Sequence, residues 1–254
     1  MKENVRGKAF TGILWGGLEK LSLQVFGFVQ GIILARLLSP SDYGLIAMVV
    51  IFILISYNFV DAGFGTALIQ KKERTETDYS TVFVLNLSLS FFISLILFLV
   101  APLISSFYNE PPLIKIVRVY SFIIFLNSLI SIQEVRLSVF LEFRKKSVVS
   151  IVTTVMSGIL SIILAFAGYG VWSLIYPQFL NLLIKVILYW HYQHWIPKLA
   201  FSLKSFYDLF GFGSRIFAST LLSTFSGNIY SLVIGKIFSA RSLGFYSRAD
   251  GYAA

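Results

Sequence analysis

A chain of 254 residues that is 57% hydrophobic and 13% charged, with a mean hydropathy of +0.80, lies outside the range of soluble domains, where about a quarter of residues carry charge. Its net charge of +9 does not mark a nucleic-acid reader, because the lysines and arginines sit in short gaps between long apolar runs and not on one solvated face. The lack of cysteine excludes disulfide frameworks and thiolate metal sites.

Taken in chain order, the basic N-terminus MKENVRGKAF leads into an apolar run too long for a signal-peptide core and without a small-residue cleavage site, so it reads as a retained first span. At about 20 apolar residues per crossing, spans are expected at 11–37, 43–66, 79–105, 114–140, 147–167, 171–192 and 207–238, with an eighth opening near 243. The expected fold class is all-α, a polytopic membrane helix bundle with membrane lipids as its surroundings. Alternate gaps differ in charge. Lys2, Arg6 and Lys8, then Lys71, Lys72 and Arg74, then Arg144, Lys145 and Lys146, then Lys198 and Lys204 fall on one side, while Lys115, Arg118 and Arg241 are the nearest basic residues on the other. The positive-inside bias places the N-terminus in the cytoplasm, with loops 70–78, 142–146 and 191–204 inside and loops 106–113 and 168–170 outside.

Residues 33–44 read ILARLLSPSDYG and residues 233–244 read VIGKIFSARSLG, which aligns Arg36 with Lys236, Ser39 with Ser239 and Gly44 with Gly244 at an offset of 200. Gly27 and Gly227 extend the register backwards. The seventh span comes six crossings after the first, an even number, so both copies cross the membrane in one direction and the repeat is parallel. Parallel repeats related by an axis along the membrane normal are a transporter architecture with substrate held between bundles. Spans 1 and 7 are therefore expected to pack beside each other near that axis. The expected domain division is a six-helix lobe over 1–204 and the start of a repeated second lobe over 205–254, which implies a parent protein about twice this length.

The blocks ILARLLSPSDYGLIAM, ALIQKK at 67–72, STVFVLNL at 80–87, APLISSFY at 101–108, RLSVFLEFRKK at 136–146, GYGVWSLIYPQ at 168–178 and IGKIFSARSLGFYSRA at 234–249 resemble the polysaccharide transporter (Wzx-type) flippases. These belong to the multidrug/oligosaccharidyl-lipid/polysaccharide exporter superfamily. The resemblance covers nearly the whole chain. It implies a flippase that moves an undecaprenyl-pyrophosphate-linked oligosaccharide to the outer leaflet of the cytoplasmic membrane, between two lobes that rock around a central cavity.

In span 1, Gly16, Lys20, Gln24, Gly27, Gly31 and Ala35 recur at steps of three and four, a stripe that is expected to turn away from lipid. Its glycines either let a neighbouring helix approach or clear room for substrate. Lys20 lies roughly 14 Å into a helix starting near Thr11, close to mid-membrane, where a cation is costly and functional by default. It either binds an anion or pairs with a carboxylate of another helix. Lys20, Gln24 and, in span 7, Arg215 are the candidate substrate-binding residues. Two cations from two lobes would suit the pyrophosphate that the resemblance implies, although Arg215 can also snorkel to the interface. Arg36 and Lys236, at outer helix ends, are expected to complement helix dipoles.

Asp61, one turn after Asn58 and just before GFG, and Glu134, on a stripe with Asn127, Ser131 and Ser138, are the candidates for coupling to a proton or sodium ion. Each also suits simple pairing with the loop lysines and arginines. Gln178, Asn181 and Lys185 recur at helical steps beside Pro177, a kink candidate. No phosphate-binding loop, nucleophile beside a base, or metal-ligand cluster is apparent, and no cofactor or catalytic role is expected. A drug or small-cation exporter of the same superfamily, or a membrane scaffold or glycan-processing enzyme, are the alternatives.

Overall fold

The computed structural model describes residues 2–198 and 200–253, and is helical throughout its regular elements. The side chains of Lys2, Arg6 and Lys8, counted above on the basic side, lie outside the described residues. The helices are α1 (Lys2–Leu37), α2 (Pro40–Asp61), α3 (Phe64–Gln70), α4 (Glu76–Tyr108), α5 (Leu113–Val139), α6 (Phe143–Phe166), α7 (Trp172–Gln193), α8 (Leu203–Ile237) and α9 (Ala240–Ala253). Seven of them are long and apolar enough to cross a membrane, α1 from Leu14 onward together with α2, α4, α5, α6, α7 and α8. This is a multi-pass membrane helix bundle.

Capping chemistry sets the boundaries. Ser39 accepts a hydrogen bond from the Asp42 backbone N–H while the Asp42 carboxylate accepts from the Ser39 N–H at 2.9 Å, and Thr75 and Asp78 repeat the arrangement at the start of α4. The second span, expected at 43–66, is corrected to α2 plus the separate seven-residue α3. The cause is local. Ala62 and Gly63 both adopt left-handed backbone, with φ of 45° and 75°, and end the helix at Asp61.

In a lipid environment apolar burial does little to hold helices together, so packing and interhelical hydrogen bonds carry association. Ser90 bonds Ser128 at 2.9 Å and Asn86 bonds Ser131 at 3.1 Å between α4 and α5. The Ser161 hydroxyl donates to the Ser173 carbonyl at 2.7 Å, and Asn181 donates to Ser157 at 3.3 Å, between α6 and α7. The aliphatic interior, with Val49, Ile116, Ile124 and Ile175 wholly buried, sits among α2, α5 and α7.

The loops rich in lysine and arginine gather at one end of the bundle. There Lys71 pairs with Asp78 at 2.9 Å and reaches Asp208 at 3.7 Å, and Arg136 pairs with Glu76 at 3.2 Å. The opposite end joins the α1–α2, α4–α5 and α8–α9 turns, where the Lys236 ammonium donates to the Phe107 carbonyl in the last turn of α4 at 2.5 Å. That contact agrees with the structural role expected of Lys236.

The 200-residue repeat has a structural counterpart at this end. A Cβ added to Gly44 would overlap the carbonyl group of Ala240, and one added to Gly244 would overlap that of Pro40. Pro40 and Ala240 are themselves repeat mates, so the contact is reciprocal, as a two-fold axis requires. Ser239 also mirrors Ser39 in accepting from the backbone N–H three residues on, at 3.2 Å. The helices at the axis, however, are α2 and α9. The expectation that spans 1 and 7 pack side by side is corrected: α1 packs on α6, and α8 on α2, α3 and α4. The reason is the placement of small residues, since Gly44 and Gly244 lie at the close crossing whereas Gly27 and Gly227 face open space.

Candidate functional site

Two adjoining polar cavities run inside the first six spanning helices. One, of about 460 Å³, is lined by Gln30 of α1, Tyr57 of α2, Asn127 of α5, Ser157 of α6 and Gln178, Asn181 and Lys185 of α7. The other, of about 540 Å³, is lined by Tyr57, Asp61, Asn86, Asn127, Ser131, Glu134 and Lys146. Tyr57 and Asn127 belong to both and form the waist between them. Polar groups at such depth are expensive and persist where they do chemistry or carry a path.

The helix break described above places Asp61. As the last residue of α2 it stands over the left-handed turn, and its Oδ1 accepts the Gly65 N–H at 3.2 Å. The same turn brings Gly63 against the backbone of Gly213 in α8, and Asn58, one turn earlier, donates to Thr224 of α8 at 2.8 Å. Asp61 therefore lines the cavity at the point where α2 touches α8. Glu134 occupies the stripe expected of it, with Asn127, Ser131 and Ser138 all on the wall of the second cavity. Its carboxylate lies beside the Tyr189 hydroxyl of α7. Lys146 donates to Ser138 at 3.2 Å on the same wall. The structure thus brings Asp61 and Glu134 to one cavity.

Lys20, Gln24 and Arg215 stand elsewhere, exposed on α1 and α8 and outside both cavities. Neither Lys20 nor Arg215 forms an ion pair among the described residues. The face of α1 that packs on α6 is one residue round from the glycine stripe. Gly12 meets Phe143, Trp15 lies under the Arg144 guanidinium, Glu19 accepts from Ser147 at 2.7 Å, and Phe26 meets Gly158. The stripe of Gly16, Lys20, Gln24 and Gly27 is left uncovered. Near its C-terminal end Arg248 of α9 donates to the Gly31 carbonyl at 2.7 Å, so this part of α1 looks toward α9.

Glu19 is not among the acids singled out from the sequence. It shares the surroundings of Tyr189 with Glu134. The steps Gly12, Trp15, Glu19, Phe26, Gln30 would have marked it, since they alternate by three, four and seven along one face. His191 and His194 have rings 5.9 Å apart, and among the described residues no three His, Asp or Glu side chains gather as a metal site.

Residues 33–254 match the family described as "Polysaccharide biosynthesis protein". The chain belongs to this family. Among its curated relatives, the teichuronic acid biosynthesis protein TuaB of Bacillus subtilis (strain 168) is 26% identical over 97% of this chain and 51% of its own length. The succinoglycan biosynthesis transport protein ExoT of Rhizobium meliloti (strain 1021) is 27% identical, covering 100% and 52%. The lipopolysaccharide biosynthesis protein WzxC of Escherichia coli (strain K12) is 24% identical, covering 98% and 51%. The chain spans about half the length of these relatives. A solved structure of a multidrug resistance MATE family transporter of the MOP superfamily, in an inward-facing conformation, superposes with a TM-score of 0.62 over 90% of this chain and 57% of its own, at 14% identity. That likeness shows the fold of this chain and carries no drug substrate over.

Proposed function

We propose that the chain is the N-terminal part of a flippase, acting without covalent catalysis or a cofactor, that moves an undecaprenyl-pyrophosphate-linked oligosaccharide across the cytoplasmic membrane. Residues 1–204 form one lobe and 205–254 open its repeat. The observation that carries this reading is the reciprocal crossing of Gly44 on Ala240 and Gly244 on Pro40, a two-fold contact suited to two lobes rocking about one axis. Lys20 and Gln24, on the uncovered face of α1, and Arg215 of α8 hold the anionic part of the substrate, where ammonium and guanidinium groups gain strength in low dielectric. Asp61 and Glu134 take up a proton or sodium ion in the cavity, and Asp61 senses the lobe contact through its turn against α8.

Surface polysaccharide made per unit of folded protein, in cells lacking their own transporter, tests these assignments in the full-length protein. Lys20→Ala is expected to abolish output at normal protein yield, and Lys20→Arg to retain part of it, since charge outweighs shape for a large mobile anion. Asp61→Asn and Glu134→Gln remove a titrating carboxylate at constant shape and are expected to lower output roughly tenfold, equivalent to about 1.4 kcal/mol of barrier. Normal output from a well-folded Lys20→Ala protein would remove Lys20 from the site.

The N-terminus lies in the cytoplasm in this reading, with the end that collects the basic loops facing inward. The chain has no cysteine of its own, so single cysteines report without background. A cysteine at Asn109 is expected to react with an impermeant maleimide on intact cells, and one at Lys72 only after permeabilisation. Reaction of both from outside would overturn the orientation.

A further inference from the structure

On the outer flank of the bundle, α4, α5 and α7 enclose an apolar groove of about 790 Å³ that the transport reading does not use. Its floor is an aromatic ladder between antiparallel helices, with Phe98 against Phe122 at 6.2 Å and Phe91 against Phe125 at 6.4 Å. At the rim nearest the cation-poor end, the Arg118 guanidinium lies 4.7 Å above the Phe98 ring. Its Nε is buried without a hydrogen-bond partner, and Arg118 forms no ion pair among the described residues. Lys115, exposed one turn closer to the membrane surface, shares its stripe. Lys115, Arg118, Phe122 and Phe125 follow at steps of three, four and three, so two cations and two rings occupy one face over about 15 Å.

We infer that this groove is a binding site for an anionic glycerophospholipid, its phosphate held by Arg118 and Lys115 and an acyl chain lying along the phenylalanine ladder. Charge complementarity supports the headgroup. Arginine and lysine are scarce at this end of the bundle, yet two of them stand on the groove's own helix, and a guanidinium that stacks on an aromatic face without an ion-pair partner among the described residues suits a phosphate oxygen through its terminal nitrogens. The depth order supports the chain, because the cations lie toward the membrane surface and the rings toward the middle, as in a lipid of that leaflet. Position favours a resident lipid over the transported carrier: of the groove's three helices, α5 and α7 have neither α8 nor α9 among their main neighbours, and α4, which also touches α8, packs mainly on α5.

The test is native mass spectrometry of the full chain in mild detergent, with phosphatidylglycerol, phosphatidylcholine or undecaprenyl phosphate added in turn. Wild-type protein is expected to retain phosphatidylglycerol several-fold over phosphatidylcholine, and Arg118→Gln with Lys115→Gln to bring the two to parity while the protein stays folded. Phe98→Ala is expected to weaken retention of both. Equal retention of the two phospholipids by wild type, or an unchanged preference in the double variant, would overturn the site. Preference for undecaprenyl phosphate over phosphatidylglycerol would overturn the choice of occupant.

Discussion

Gly44→Leu and Gly244→Leu, made singly, are expected to lower the melting temperature of the purified protein by similar amounts. At each site the added Cβ would overlap a backbone carbonyl group, of Ala240 in one case and Pro40 in the other. A backbone group cannot rotate out of the way as a side chain can, so α2 and α9 must separate. Overpacking of this kind costs about 2 kcal/mol or more, which corresponds to a fall of roughly 4–8 °C for a chain of this size. Because the two contacts form one crossing, separation caused by the first substitution makes room for the second, and the double variant is expected to lose less than the sum. Gly27→Leu is the control, since a Cβ there meets nothing within 4 Å. A loss at Gly244 with none at Gly44 would show that the crossing is not a two-fold contact.

Arg136→Ala is expected to have the largest effect at the other end of the bundle. Arg136 is in the last turn of α5, where a cation complements the helix dipole. Its guanidinium meets both Glu76 oxygens at 3.2 Å and lies 4.7 Å from the Trp195 ring, 4.8 Å from Tyr79 and 5.4 Å from Phe140. Trp195 Nε1 donates to the same Glu76 at 2.6 Å, and the Trp195 carbonyl accepts from Gln133 at 3.3 Å. One side chain thus ties the start of α4 and the end of α5 to the connector that leads into α8. Cation–π contacts are worth about 0.5–2 kcal/mol each and a hydrogen bond to a charged group about 1.5–3 kcal/mol. Glu76 is 57% exposed, so the ion pair itself adds little. A net loss of about 3 kcal/mol is expected once non-additivity is allowed for. Trypsin cleavage after Lys198 should accelerate in parallel, because the connector loses its anchor. Arg136→Lys should recover only part of both, since an ammonium keeps the charge and lacks the planar face. An unchanged cleavage rate in Arg136→Ala would separate the connector from this cluster.

The sequence by itself determined what depends on neighbours along the chain. Hydropathy located the spanning segments to within about five residues, the largest error being the end of α2 at Asp61, because the cost of placing polar groups in lipid is paid residue by residue. Helical periodicity gathered Asn127, Ser131, Glu134 and Ser138 onto one wall, and Gln178, Asn181 and Lys185 onto another, before any contact was known. The offset of 200 was legible in Ser39 and Ser239 because a helix N-cap demands a side-chain oxygen wherever it occurs.

Only the tertiary structure decided which faces meet. Periodicity gives two stripes on α1, one through Lys20 and one through Glu19, and nothing local says which of them α6 covers; Ser147, 128 residues away, settles it by bonding Glu19. In the same way the repeat fixed a two-fold relation but not the helices at its axis, because close approach needs small residues on both partners at one height, and Gly44 finds that at Ala240 while Gly27 finds no partner. Arg136, Glu76 and Trp195 are spread over 119 residues and come together because the ends of α4, α5 and α7 converge on one membrane surface. Such a cluster leaves no trace in local sequence, since each of its members is an ordinary residue for a helix end at the membrane interface.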